Sequence, residues 1–435
     1  MRDLILVIFL FITIYYSFKR PFLGIVAWLW IALMAPTVWA YGFSTSFRMN
    51  FTVALIAMAS YLVLPKEKGF KANALLVLVL LFGFWNFWSS AFHIQIDGGA
   101  VWNYFIQVVK ILLLFLFITL ACTKRLHIDA IIWAIVLAIS AYAAMEGVKF
   151  ILSAGGHRIV GRSPIIADRN DFAVAVNMCI PLILYLWSTT KHKLLKQGLM
   201  GLCLLNVVAI IGTFSRGGFI GISILGLFLW FKSNHKLVLA LLAALIIPIG
   251  FQYAPDEWKE RQSTIKTAAA EDSSFIGRLW AWKISTLIAI DNPLTGGGYK
   301  AVTDRVVWFA YKDETSNFGP IYTPEVPNYI KPKAAHNIYF QVLGDQGFVG
   351  LFLFLTMLAT CYFNCRTIAK KAKKNGVEWC QKLSGYITLS LVGYGITGMN
   401  VSLAYFELLY ALIAIVCVLN IREMYKKEEL NYEKT

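Results

Sequence analysis

The sequence predicts an all-α, polytopic integral membrane bundle of 12–13 spans, with one large loop between two late spans. Three observations predict it. Of 435 residues, 58% are hydrophobic and only 15% are charged, a balance foreign to soluble domains. Apolar runs recur through the whole chain, each able to cross roughly 30 Å of hydrocarbon as a helix of about 20 residues. These runs are too long and too continuously apolar for barrel strands, so helices are left as the way for the backbone to satisfy its own hydrogen bonds in lipid.

The apolar segments follow in order. Segment 4–18 is closed by Lys19-Arg20-Pro21, and no small-residue cleavage site precedes Phe22, so it reads as a span and not a leader. Segment 22–40 is interrupted near Pro36, and 51–64 is followed by Lys66, Lys68 and Lys71. Segment 73–92 ends with Trp85, Trp88 and His93, as at a membrane interface. Next come 101–122 and 128–152, the latter with Glu146 and Lys149 spaced to pair on one face. Segments 172–187, 198–214, a short 219–231 and 237–253 precede the large loop 254–335. Segments 338–363, 383–405 and 408–421 complete the set.

The lysine-rich connections alternate along this order and fall on one side, the cytoplasmic one by the positive-inside rule. That bias explains part of the formal net charge of +16, and no soluble region is present to bind nucleic acid. The seven cysteines lie in spans or on the lysine-rich side, so neither a structural disulfide nor a cysteine metal site is expected. The opposite face carries arginine instead: Arg48, Arg158, Arg162, Arg169, Arg216, Arg261, Arg278 and Arg305. Arginine is a rigid fork that grips phosphate in a bidentate way, whereas lysine is a mobile point charge. In the large loop ten basic residues meet ten acidic ones, so most arginines there read as surface pairs. Arg169 and Arg216 sit at span ends instead.

Four constellations on that face carry possible chemistry. Thr213-Phe214-Ser215-Arg216-Gly217-Gly218 fits an anion site built on a tight turn, and equally a plain inter-helix turn with a snorkelling arginine. Asp168-Arg169-Asn170-Asp171 opens a span, so Arg169 stands beside a helix start that favours an anion. A cap and a surface ion pair explain the same residues. Asp272-Ser273-Ser274 caps an amphipathic helix that stops at Asp291-Asn292-Pro293, with Arg278 and Trp282 on one face. That pair suits a phosphate beside a sugar ring, or an ordinary cation–π contact. Gly296-Gly297-Gly298 reads as a flexible turn, lacking the Lys-Ser/Thr of a nucleotide loop. Finally, His336 heads a span in which Asn337, Gln341 and Asp345 form a polar stripe, and Gly344, Gly347 and Gly350 a small-residue face. A neutral imidazole there could accept a proton from a hydroxyl; alone, it reads as an interfacial hydrogen-bonder.

Taken together these motifs resemble the O-antigen ligase superfamily. The resemblance rests on Ser215-Arg216-Gly217-Gly218, Gly277-Arg278-Leu279-Trp280-Ala281-Trp282, Asn292-Pro293-Leu294-Thr295-Gly296, and Ala335-His336-Asn337 running into Gly344-Asp345-Gln346-Gly347. Lys19-Arg20-Pro21-Phe22, Trp28-Leu29-Trp30 and Asp168-Arg169-Asn170-Asp171-Phe172-Ala173 look like the branch of O-glycosylation ligases linked to exosortase systems. The resemblance implies a GT-C-type, metal-independent, inverting glycosyltransferase without cofactors, in the bacterial inner membrane. Its donor would be a glycan on undecaprenyl pyrophosphate, used at the periplasmic face. Its acceptor would be lipid A-core in a true ligase, a protein hydroxyl in an O-oligosaccharyltransferase, or a growing chain in a polymerase. It further implies that Arg169, Arg216 and Arg278 hold the pyrophosphate, with Arg216 and His336 catalytic and Ser215, Trp282, Asn337 and Gln341 in support.

The expected division is a transmembrane bundle over 1–253, a periplasmic loop domain with amphipathic helices over 254–335, C-terminal transmembrane helices over 336–421 and a cytoplasmic tail over 422–435. A transporter or flippase for an anionic lipid-linked glycan is the rival class. It would place ionisable residues at mid-membrane in pseudo-repeated halves. Lys110 and Glu146 are the few charged candidates, and no halves match.

Overall fold

The computed structural model describes residues 2–64, 72–232, 236–237, 240 and 273–426, and among these all regular structure is helical. The α-helices are α1 (Arg2–Lys19), α2 (Pro21–Met34), α3 (Met49–Val63), α4 (Ala74–Ala91), α5 (Gly98–Ala121), α6 (Arg125–Leu152), α7 (Arg169–Thr189), α8 (Lys193–Gly212) and α9 (Arg216–Lys232). After the large loop begins come α10 (Ser273–Asp291), α11 (Arg305–Tyr311), α12 (Ile338–Asn375), α13 (Glu378–Thr397) and α14 (Glu407–Ile421). Six of them, α4 to α8 and α12, have the length and apolarity to cross a membrane, and α2, α3, α9 and α14 are shorter apolar helices. The chain is therefore a polytopic helical membrane protein. Of the 12–13 expected spans, six among the described residues are long and apolar enough to cross and four more coincide with the shorter apolar helices, while most of segment 237–253 lies outside the described residues.

Packing follows membrane logic. Helix α1 turns Leu4, Ile5, Ile8, Phe11 and Ile12 outward and buries only Thr13 and Ser17. Small and polar groups make the tightest contact of α1 with α2, and Phe9 packs beside them on Trp30, ring centroids 5.1 Å apart. A Cβ on Gly24 of α2 would lie 2.5 Å from the Ser17 hydroxyl. The centre is formed by α14, buried from Glu407 through Leu419, and by α7, which packs on α8 and α13. Glu146 pairs with Lys149 at 2.6 Å as its spacing predicts, and with His157 at 2.6 Å as well. All seven cysteines are free and buried.

Helix α12 is broken. Gly347 has φ 68° and ψ −169°, a conformation closed to side-chain-bearing residues. The 292–298 turn enters this break. Phe348 N–H donates to the Pro293 carbonyl at 2.9 Å, Gly297 N–H to Gly344 at 2.8 Å, and Gly298 N–H to Asp345 at 3.0 Å. Helix α4 closes the join: Ser89 Oγ donates to the Asp345 carbonyl at 2.8 Å and Trp85 Nε1 to the Gln346 carbonyl at 3.2 Å. The triple glycine is thus a fitted insert and not a flexible turn, and Trp85 is a packing residue and not an interface anchor. The basic run Arg366 to Lys374, beyond the end of the expected segment 338–363, forms the last turns of α12, which Gly376 ends at φ 71°. Segment 383–405 is also not one span: α13 stops at Thr397, 398–400 form a 3-10 turn, and 401–406 are irregular, with a bend and a turn.

Candidate active site

The residues singled out from sequence meet where α7, α9 and α12 begin and α13 ends. Helix α8 ends in a turn at which Phe214 takes a left-handed φ of 52°. Ser215 Oγ then accepts the Gly218 N–H at 3.2 Å and so caps α9, whose first residue is Arg216. The same hydroxyl donates to Asn170 Oδ1 at 2.7 Å. Asn170 follows Arg169, and Asp168 caps α7 by accepting the Asn170 N–H at 2.7 Å. One side-chain bond therefore ties the turn of Arg216 to the helix start of Arg169.

The two glycines after Arg216 allow a close approach. A Cβ on Gly218 would lie 2.7 Å from Ala173 Cβ, and one on Gly217 would lie 2.9 Å from Asn400 Cβ. Asn400 stands in the 398–406 segment and accepts a hydrogen bond from Arg278 Nη1 at 3.2 Å. Asn400 thus joins the α9 turn to α10. Asp272, read as the cap of α10, lies outside the described residues, but the helix itself runs from Ser273 to Asp291 as its pattern predicts.

Trp282 follows Arg278 by one turn. Its ring stacks on Phe340, with centroids 5.1 Å apart and planes 3° apart, and its Nε1 donates to the Ala335 carbonyl at 2.6 Å. One face of the indole is therefore taken by protein, and its role here is to hold the loop into α12. His336 leaves that loop with φ 43°, a left-handed backbone that a non-glycine residue adopts only under constraint. The constraint includes Ser402, whose Oγ accepts the His336 N–H at 3.1 Å. Asn337 caps α12, accepting the N–H groups of Tyr339 at 3.0 Å and Phe340 at 3.4 Å. Gln341 Oε1 accepts the Ala404 N–H at 3.1 Å, so it fixes the 398–406 segment against α12.

The electrostatics of His336 follow from these neighbours. Partial burial pushes its pKa below the usual 6.5, the Arg278 charge and Lys333 push it further, and Asp168 opposes them. The imidazole is therefore neutral at pH 7 and able to accept a proton. Elsewhere on this face Arg162 lies over the Trp39 ring at 4.6 Å and Arg305 over Phe309 at 5.9 Å, each with a local aromatic partner. Arg261 lies outside the described residues.

Sequence reasoning missed Asn400 and Ser402, which join the arginine and histidine elements. The available signal was Gly398 followed by two polar residues at the end of an apolar segment longer than a span needs.

Residues 1–191 match a family model described as a family of unknown function, DUF5935, which covers Arg169. Residues 201–355 match the O-antigen ligase family model, which covers Arg216, Arg278 and His336. No curated protein matches the chain. Neither matched segment reaches 398–406, the stretch that supplies Asn400 and Ser402. Through residues 201–355, the stretch that holds the Arg216 turn, Arg278 and the His336 loop, the chain is similar to the O-antigen ligase family.

Proposed function

We propose that this protein is a metal-independent, inverting glycosyltransferase that moves a glycan from undecaprenyl pyrophosphate to an acceptor hydroxyl at the periplasmic face of the bacterial inner membrane, with lipid A-core as the acceptor. The family supports ligase- or polymerase-like glycan chemistry in general. The observation that carries the reading further is the joining of the Arg216 turn, Arg278 and the His336 loop around Asn400 and Ser402.

The residues would act as follows. Arg169, Arg216 and Arg278 bind the two phosphates, aided by the starts of α7 and α9, whose free N–H groups favour an anion. Neutral His336 takes the proton from the acceptor hydroxyl as that oxygen attacks the anomeric carbon. The bond from that carbon to the pyrophosphate oxygen breaks on the opposite side, which inverts the configuration. The charge that develops on the leaving pyrophosphate is met by the arginines. Ser215, Asn337, Gln341 and Trp282 hold these elements in place.

The test compares purified wild type, His336→Ala and Arg216→Ala in transfer of glycan from an undecaprenyl pyrophosphate donor, with EDTA present. Lipid A-core and a peptide are offered separately as acceptors. Transfer to lipid A-core by wild type alone supports the proposal, and transfer to peptide alone moves the acceptor to protein. Full activity in both folded variants overturns the site assignment. Absence of transfer by wild type to either acceptor overturns the ligase reading in favour of a polymerase or a transporter.

A further inference from the structure

At the helix ends opposite the candidate active site lies a cavity of about 800 Å³. Its wall is made by the α5–α6, α7–α8 and α12–α13 joints and by the close of α14. Helices α7, α12 and α13 therefore run from this cavity to the end where Arg169, His336 and Asn400 stand. The positive-inside rule assigns the cavity's end to the cytoplasm.

That rule alone scatters cations over a surface, whereas here they converge. Lys124, Arg125, Lys191, Lys382, Arg422 and Lys426 line the cavity, against Glu378 and Glu423. Both carboxylates are engaged: Lys382 pairs with Glu378 at 2.5 Å and Lys426 with Glu423 at 2.6 Å. Arg125 pairs behind the wall with Asp129 at 3.2 Å, and its guanidinium lies over the Trp379 ring at 5.2 Å, which ties the α5–α6 joint to the start of α13. Among the described residues, Lys124, Lys191 and Arg422 have no carboxylate partner.

Two further observations ask for an anion. Arg422 Nε is buried without a hydrogen-bond partner, and a bare buried donor is costly. Lys124 and Val377, which precede α6 and α13 in the wall, make no side-chain cap, so the leading N–H groups of both helices lack the usual acceptor. A phosphate answers both demands, because its several oxygens accept from lysines, an arginine fork and helix starts at once. The surroundings point to a lipid as its source. The joints lie at the ends of α5 to α8 and α12, the helices long and apolar enough to cross a membrane, which is the level of lipid phosphates. Leu126 and Leu194, beside two of those joints, are 63% and 72% exposed, as suits contact with acyl chains.

We propose that this cavity binds the phosphate of an anionic membrane lipid, and so fixes the joints of helices whose far ends carry the candidate active site. The proposal stands whether or not the function proposed above is correct. The test uses the full chain, delipidated in detergent. Dioleoyl phosphatidylglycerol, dioleoyl phosphatidylcholine and sn-glycerol 3-phosphate are titrated by native mass spectrometry and by thermal unfolding. Phosphatidylglycerol should bind and raise the unfolding midpoint. Phosphatidylcholine, whose phosphate carries its own cation, should bind about tenfold more weakly. Glycerol 3-phosphate at the same concentration should leave the midpoint unmoved. The double variant Lys191→Gln, Arg422→Gln should weaken phosphatidylglycerol binding about tenfold. Lys370→Gln with Lys373→Gln removes the same charge from the exposed end of α12, outside the wall, and should change binding by less than about twofold. Should the first pair unfold, Thr190→Glu is the substitute, since it adds a negative charge to the wall without removing a cation. Equal weakening by the two double variants would reveal diffuse attraction to a basic surface and overturn the proposal, as would equal binding of the two lipids. A midpoint shift with glycerol 3-phosphate that matches the lipid's would overturn the lipid assignment in favour of a soluble phosphate.

Discussion

Replacing Gly347 with alanine tests the central structural argument, that the broken helix α12 and the 292–298 turn are built to fit each other. Gly347 has φ 68° and ψ −169°, where a side chain costs about 1–3 kcal/mol from the backbone alone. The new Cβ would also lie 2.6 Å from the Leu294 carbonyl oxygen, 2.7 Å from that of Pro293 and 2.8 Å from Gly296 N. These are backbone atoms, so no rotamer change relieves the overlap, and the turn must move. Moving it gives up the three backbone hydrogen bonds at Phe348, Gly297 and Gly298, worth about 0.5–1.5 kcal/mol each. The whole change is therefore about 2.5–7.5 kcal/mol, a large part of the stability of any domain. Gly385→Ala in α13 is the control, since a Cβ there meets nothing within 4 Å and alanine favours the helix. Thermal unfolding in detergent, followed by tryptophan fluorescence, should place Gly347→Ala far below wild type and Gly385→Ala level with it or above. Glycan transfer by any folded Gly347→Ala should fall about a hundredfold, because the start of α12 carries the His336 loop. Equal midpoints for the two variants would refute the argument.

Three further outcomes follow from the site. Arg278→Gln removes a positive charge that holds the His336 pKa down, so the acid limb of kcat/KM should move to higher pH, with more activity lost at pH 6 than at pH 8. An unmoved limb would mean that His336 is not the base. Asn400→Leu deprives Arg278 Nη1 of its acceptor at 3.2 Å and should raise the donor KM about tenfold with little change in unfolding midpoint. Removal of divalent ions with EDTA should leave transfer intact; recovery of lost activity by added Mg²⁺ or Mn²⁺ would oppose the arginine-based account.

Much of this arrangement is legible in the sequence, and the exceptions have a common cause. The helices are written in apolar runs, and the Arg216 turn is marked by its two glycines, because both signals are local. Glu146 and Lys149 pair as spacing on one helix face requires. The Gly296 turn reads as loose because its constraint lies some fifty residues away at Gly347; each glycine is needed only where the two backbones meet. Asn400 and Ser402 are hidden differently. They sit in a stretch with Val401, Leu403 and Ala404, so the segment passes as the end of an apolar span, and only the fold shows that it leaves the helix and crosses the arginine site. Trp282 errs in the other direction. Its spacing from Arg278 suits a sugar platform, but spacing along one helix cannot reveal that Phe340 arrives to cover the ring.

The same positive field serves two demands that usually conflict. On the proposed function Arg278 faces the pyrophosphate, and the same charge, with burial and Lys333, keeps His336 unprotonated. A base with a depressed pKa is a weak base, which would handicap proton transfer. On the proposed function, donor binding would remove that handicap. Its two phosphates would bring negative charge beside Arg278, offset that charge and raise the His336 pKa. The base is then strong only when a donor is present to react. This predicts that the acid limb of kcat, which reports the donor complex, lies at higher pH than the acid limb of kcat/KM for the donor, which reports the free enzyme. With acceptor saturating and donor varied, the two profiles should separate in wild type and draw together in Arg278→Gln, where the free-enzyme limb has already risen. Coincident limbs in wild type would show that the pyrophosphate does not share a field with His336, and the arginine side would then have to bind something else.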